Sequence, residues 1–476
     1  MVPPVPTTLA TELVLTRATY GATPALRSDI QRMGIAGWLS AQLAPASIPD
    51  PDGDAIVAMF PTLNRSMQSL VAEFAADAQS TTNPVFDLQA AHIGRAIWSS
   101  RQLFEMMVGF WSDHFNVPSG VDYARVNRAD YDRTVIRAFA LGRFEDLLVA
   151  VANHPAMLSY LNLAGSTGTN PNENFARELL ELHTVGVDGG YTEPDIKQAA
   201  KLLTGLRLQQ DMTVTFDPTR HYVGPVTVMG FTHPNNVAAE GPTAARELYE
   251  YLALHPSTAH FLATKLARRF VGDTPPASLV TKLATVYLDN DTAIAPVLTA
   301  LFTSAEFAAS AGMKVRRPFE HMTAVARGVG LGRSSGPDPL HQSVWMLEGP
   351  GHIPFQWPTP DGYPDTAAHW QSSGQVLAQF ETAINLLRDY WPKGFGHPAL
   401  SALLTDPATA TTPAAIAQQV CQRLFGRAAL PTETGGVTTI LSGPNFPKTY
   451  TPGQTQNNAA AVAVTALFQS PAFLTR

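Results

Sequence analysis

The sequence predicts a mainly α protein, a multi-helix orthogonal bundle with a small β-hairpin insertion. Three observations carry that prediction. Apolar residues recur at spacings of three and four along most of the chain. The periodic segments open and close on Pro, Gly and cap residues. Only one stretch alternates with the period of two that a strand requires. Segment 8–20 carries Leu9, Leu13, Leu15 and Ala18, and segment 97–115 carries Ile97, Leu103, Phe104, Met107, Phe110, Trp111 and Phe115. The same pattern predicts helices over 132–152, 172–184, 193–206, 242–255, 256–271, 276–288, 293–309 and 316–329. Asn172, Thr192 with Asp195 behind it, and Pro275/Pro276 supply helix starts. The exception is 211–231, DMTVTFDPTRHYVGPVTVMGF, where TVTF and VTVMGF read as the two arms of one hairpin.

These signals divide the chain into six parts. An N-terminal helical segment, 1–50, ends in the PASIPDPDG linker at 45–53. A helical core follows at 51–210, then the hairpin insertion at 211–235 and a helical unit at 236–330. An aromatic, Pro-rich loop covers 331–380, and a C-terminal helical unit covers 381–476. The two units look alike. PVLTALFTSAEFAAS (296–310) resembles AVTALFQSPAFLTR (463–476), and they follow KLARRFVG (265–272) and QRLFGRAA (422–429) respectively. The irregular stretch 333–375 holds Trp345, Phe355, Trp357, Tyr363 and Trp370, too aromatic for a disordered linker.

Composition narrows the chemistry. The chain has 476 residues, 45% of them hydrophobic and only 15% charged, with a net charge of −7. That is ample for a buried core and offers no cationic field for nucleic acid. The single cysteine, Cys421, excludes a disulfide framework and an all-cysteine metal cluster. No HxxxH, HExxH, CxxC or phosphate-binding glycine loop is present, so no metal and no cofactor is expected. No apolar run reaches the length of a membrane span, and the N-terminus does not read as a signal peptide; export remains open if a signal was removed.

Two motifs carry candidate chemistry. In PNENFARELLELHTVG (171–186), a helical wheel places Glu173, Asn174, Arg177, Glu178 and Glu181 within an arc of about 140°. In FWSDHFN (110–116), Trp111, Asp113, His114 and Asn116 gather an acid, an imidazole and an amide at a helix end. Asp113 and His114 are adjacent and so point about 100° apart on a helix. The bland alternatives are a solvated, salt-bridged face for the first motif and a histidine capping a helix C-terminus for the second. His154 and His255 each precede Pro and read as structural corners. His221 and His233 lie in or beside the hairpin. KLARR (265–269) and KVRR (314–317) read as a salt-bridged face or, if they line a cleft, as partners for an anion.

These blocks together resemble the bacterial DUF1800 family, a family of unknown function. The resemblance rests on LTRATYGATP (15–24), FWSDHFNV (110–117), HPAMLSYLN (154–162), NPNENFARELLELHTVGVDGGYTEPDIKQAAKLLTG (170–205), KLARRFVGDTPP (265–276) and KVRRPFEH (314–321). It spans essentially the whole chain and implies a mainly helical fold. Family members usually carry a His-Asp pair followed by Gly and Lys near the hairpin. Here His221 and Gly224 match, while Tyr222 and Val226 depart. The late Gly- and Pro-rich loop, LEGPGHIPFQWPTPDGYP, also diverges.

The expected function is a hydrolase acting on a glycan or other polymer through carboxylate acid/base groups. Asp113 and Glu178 are the expected pair, tuned by Glu181 and His114 and oriented by Arg177. Trp111, Asn116, Asn174, His221, Trp345, Trp357 and Trp370 are the expected substrate-binding residues. One alternative is a non-catalytic helical binding or assembly protein of the cell surface. Another is a metal enzyme using Asp113, His114, Glu178 and His221.

Overall fold

A computed structural model describes residues 7–451 and 454–476. The fold is mainly α, with two small two-stranded antiparallel sheets. Two helices form its centre. Pro84–Trp98 is buried on most of its circumference, and Pro318–Val329 is buried at every position. Helices covered on this many sides belong in a core rather than at a surface, and the buried Glu320 of the second is paired there with arginines. The predicted 97–115 helix resolves into the end of Pro84–Trp98 and a separate helix, Gln102–His114. Ser99 ends the first helix in an extended conformation, and the Gln102 side chain donates to the freed carbonyls of Ala96 and Ser99. The predicted 132–152 helix is likewise interrupted between Phe139 and Phe144.

The β insertion differs from the single hairpin expected. Val214–Phe216 pairs backwards with Leu206–Leu208, and Val226–Val228 pairs with Phe231–His233. The reason is local. Met229 and Gly230 have φ of 49° and 91°, the left-handed pair that a two-residue hairpin turn needs. VTVMGF therefore folds on itself rather than across to TVTF. His221 is the pin between the two hairpins. Its Nδ1 lies 2.9 Å from the Thr204 carbonyl and its Nε2 lies 2.9 Å from Asn235 Oδ1.

The similarity between the two helical units appears as a shared element order. Pro256–Phe270, Ala277–Asp289, Ile294–Phe302 and Ala305–Ala308 are matched by Pro413–Phe425, Pro431–Leu441, Gln454–Phe468 and Pro471–Leu474. Phe307 and Phe473, equivalent in the two copies, are both buried. The long loop is less irregular than expected, since Asp338–Met346 and Ala367–Trp370 are helical. Arg17 fastens the N-terminal segment by donating to the carbonyls of Phe270, Val271 and Ser310 at 2.6–2.8 Å. Among the described residues, no helix is long and apolar enough to cross a membrane.

Candidate functional site

The FWSDHFN motif closes the helix Gln102–His114, and its two titratable residues face different surroundings, as their 100° separation requires. Asp113 accepts a hydrogen bond from Arg317 Nη1 at 2.8 Å. Burial still raises its carboxyl above the ordinary range, against the pull of Arg317. The space beside Asp113, bounded by Tyr20, Arg317, Phe319, His352 and Tyr363, is about 20 Å³. It admits a water molecule and nothing larger.

His114 turns the other way. Its Nε2 lies 3.0 Å from the His183 carbonyl, which can only accept, so Nε2 carries the proton and Nδ1 is a free acceptor. That acceptor is met at 3.0 Å by Lys265 Nζ. Burial, with help from Lys265, holds the His114 imidazole well below its usual pKa and therefore neutral. The His183 carbonyl is available because the helix Glu173–Glu178 widens into a π-helical turn over Leu179–His183 and ends there.

Behind Asp113 lies a buried ionic cluster. Glu320 receives Arg317 Nε at 3.0 Å and Arg476 Nη2 at 3.2 Å, and is also paired with Arg269. Asp365 lies 3.0 Å from Lys314 Nζ, which also contacts Asp273 at 2.8 Å. These cations hold both Glu320 and Asp365 ionised in spite of burial, with their carboxyls well below the usual range. The cluster joins the helices Pro256–Phe270 and Pro318–Val329 to the 354–365 loop.

That loop is anchored to the motif. Asn116 Nδ2 donates to the carbonyls of Trp357 and Thr359 at 2.9 and 2.8 Å. Gly362, at φ 72°, rides on the Asp113 backbone, where any Cβ would collide with the Asp113 carbonyl. The loop thereby presents Asp361, whose Oδ1 accepts from the Trp357 indole N–H at 3.0 Å. Asp361 is exposed, and its charge acts on Glu178, Tyr160 and Lys265. Glu178 is half-buried, and no group among the described residues hydrogen-bonds or ion-pairs with its carboxylate. Burial, reinforced by Glu181 and Asp361, raises its pKa. The Tyr160 hydroxyl is pushed up to about 12 by burial and by the same two carboxylates, Glu178 and Asp361.

Several sequence-predicted site residues stand elsewhere. Asp113 and Glu178 do not form the expected pair. The principal charged neighbours of Asp113 are Arg317, Arg269 and Asp365, whereas those of Glu178 are Glu181, Arg177 and Asp361. Arg177 is spent on a surface network, reaching Glu193 at 2.7 Å, Glu181 at 3.4 Å and Glu173 at 3.5 Å. Trp111 and Trp370 are core residues, closed to a substrate, and their indole N–H groups bond the Ala140 and Pro364 carbonyls. Trp345 is exposed but packs beside Phe86, on the helix Asp338–Met346. His221 is a buried pin, Asn116 a buried loop anchor, and Asn174 an exposed residue of the first helical turn. Trp357 alone among the expected aromatics borders Asp361.

No three His, Cys, Asp or Glu side chains among the described residues converge to hold a metal ion. In particular, His221 is tied into the hairpins while His114 is tied to Lys265. Sequence reasoning missed Asp361, Tyr160 and Lys265. The KLARR string did contain a signal, because Lys265 and Arg269 are four residues apart and share a face. Both turn inward, one to His114 and the other to Glu320.

A family model described as "Protein of unknown function (DUF1800)" matches residues 13–475, nearly the whole chain. No curated protein and no solved structure matches the chain.

Proposed function

We propose that this chain, which belongs to the DUF1800 family, is a hydrolase of glycan-like polymers in which Glu178 is the proton donor and Asp361 its carboxylate partner. The observation that carries this reading is the state of Glu178. It is a half-buried carboxyl with a raised pKa and no hydrogen-bonding or ion-pairing partner among the described residues, next to a second, exposed carboxylate. A carboxyl raised by its surroundings beside a second carboxylate is the arrangement that cleaves a glycosidic bond. Glu178 gives its proton to the leaving oxygen, and Asp361 takes a proton from the attacking water. Tyr160 flanks both carboxylates. Trp357, half-buried with the Tyr363 and His369 rings at 5.2 and 5.5 Å, is the aromatic side chain beside Asp361 that would contact a sugar.

The Arg177 network favours a second reading for the outer part of the same helix, that of a salt-bridged strut. The two readings assign different residues and predict different variants. A screen of the purified protein for reducing-end release from a panel of polysaccharides tests the hydrolase. Activity abolished by Glu178→Gln and kept by Arg177→Gln supports it. Release from none of the polysaccharides counts against it.

A further inference from the structure

Between the turn at Val185–Gly189 and the helix Pro256–Phe270 lies a cleft of about 560 Å³. Lys265 lines it together with His260, Phe261, Thr264 and Arg268. The surroundings of Lys265 are unlike those of the cations in the neighbouring ionic cluster. Lys314, Arg269 and Arg317 each have a carboxylate within ion-pair distance, whereas Lys265 has none among the described residues. Its polar partner is the unprotonated Nδ1 of His114, at 3.0 Å, and the Phe261 ring lies 5.5 Å from Nζ. A carboxylate would lock the ammonium form. A neutral imidazole accepts a hydrogen bond from either form and can also take up a proton.

We propose that Lys265 is a carbonyl-capturing amine, forming an imine with a small 2-oxo acid that enters this cleft. Arg268 lines the same cleft and supplies the cation for the acid's carboxylate. Asp188, also on the wall, lies on the opposite turn.

The step balances within the site. The free amine of Lys265 attacks the carbonyl carbon, a C–N bond forms, and the C=O π pair moves to oxygen. His114 Nδ1 takes the proton lost by nitrogen. It passes that proton to the alkoxide, giving the carbinolamine, then takes the second nitrogen proton and delivers it to the hydroxyl, which leaves as water, so that amine plus carbonyl give imine plus water. Burial pulls the Lys265 ammonium down to about 8, countered in part by Asp113, Asp365 and Asp361 and assisted by Arg268, so a free amine is present near neutral pH. The proposal goes beyond the hydrolase reading and does not depend on it, because neither Glu178 nor polymer cleavage takes part.

Reductive trapping on the intact protein tests it. The protein is incubated with glyoxylate and sodium cyanoborohydride and the labelled lysine is identified by peptide mapping. Lys265 is expected to label roughly tenfold faster than the exposed Lys197, Lys282, Lys393 and Lys448, since its amine is far more deprotonated at neutral pH. Its labelling rate is expected to rise through pH 8 and level off. Glycolaldehyde, which lacks the carboxylate, is expected to label Lys265 more slowly than glyoxylate does. Labelling spread evenly over the exposed lysines overturns the proposal, and equal rates for the two probes overturn the assignment of an acid. The mapping uses the wild-type chain, so the result does not depend on whether a variant folds. Lys265→Met, with an unchanged circular dichroism spectrum, should lose the fast label only.

Discussion

The Asn116 side chain holds the loop carrying Trp357 through two hydrogen bonds, to the Trp357 carbonyl at 2.9 Å and the Thr359 carbonyl at 2.8 Å. A residue of the FWSDHFN motif therefore acts through the position of Asp361 rather than on a substrate. Asn116→Ala leaves two loop carbonyls without a donor and is expected to cost about 1–3 kcal/mol of stability. Its distinguishing effect is on the loop. Trp357 fluorescence should become more accessible to a quencher, while the fully buried Trp111 is unaffected. An unchanged quenching profile contradicts the anchoring role.

Glu320 is the hub on which Arg269, Arg317 and Arg476 converge. Removing its charge leaves three buried guanidinium groups sharing the remaining carboxylates. Glu320→Gln is accordingly expected to destabilise the fold by about 3–5 kcal/mol, measured by urea unfolding. The Arg177 network is half-exposed at the surface, and Arg177→Gln should cost less than about 1 kcal/mol.

Buried neutral histidines set the acid limit of stability. Burial holds His92 and His183 down to about 3 and His321 down to about 4, from an ordinary value of 6.5. In the unfolded chain each binds a proton below pH 6.5, whereas the folded chain refuses it until the pH reaches the depressed value. The unfolded state thus holds more protons in that window, and stability falls as pH falls from about 6.5 toward 3–4. Each histidine contributes a slope of about 1.4 kcal/mol per pH unit. The urea midpoint measured from pH 7 to 4 should drop steeply. His183, whose two ring nitrogens have no hydrogen-bond partner among the described residues, offers a check. His183→Phe should flatten the slope by one histidine's share.

Much of this fold is written in local pattern, and the site is written only in part. The helix at Glu173 begins where Asn172 predicts, with Asn172 Oδ1 accepting from the Asn174 backbone N–H at 2.9 Å. The next helix begins at the Thr192–Asp195 capping box. Both signals lie within four residues and need no tertiary context. The divergence of Asp113 from His114 is also helical geometry. Asp361 is different. It lies in a loop without periodicity, and its position follows from Asn116, 245 residues earlier in the chain, and from the close seat of Gly362 on Asp113. Trp111 and Trp370 show the converse limit. An aromatic side chain serves a core or a sugar equally well, and only burial distinguishes them.

The central claim is that Glu178 and Asp361 work as an acid and its partner carboxylate. The direct measurement is kcat for reducing-end release by the wild type, Glu178→Gln and Asp361→Asn on the polysaccharide most rapidly cleaved by the wild type. Each substitution removes one proton-transfer group while keeping the shape of the side chain. The account predicts a fall in kcat of about 10²–10⁴ for each variant, with the folded state retained. It also predicts that the Glu178→Gln profile loses the alkaline limb of the wild-type pH dependence, since that limb reports deprotonation of the acid. Variants that keep the wild-type kcat and both limbs of the profile would contradict it.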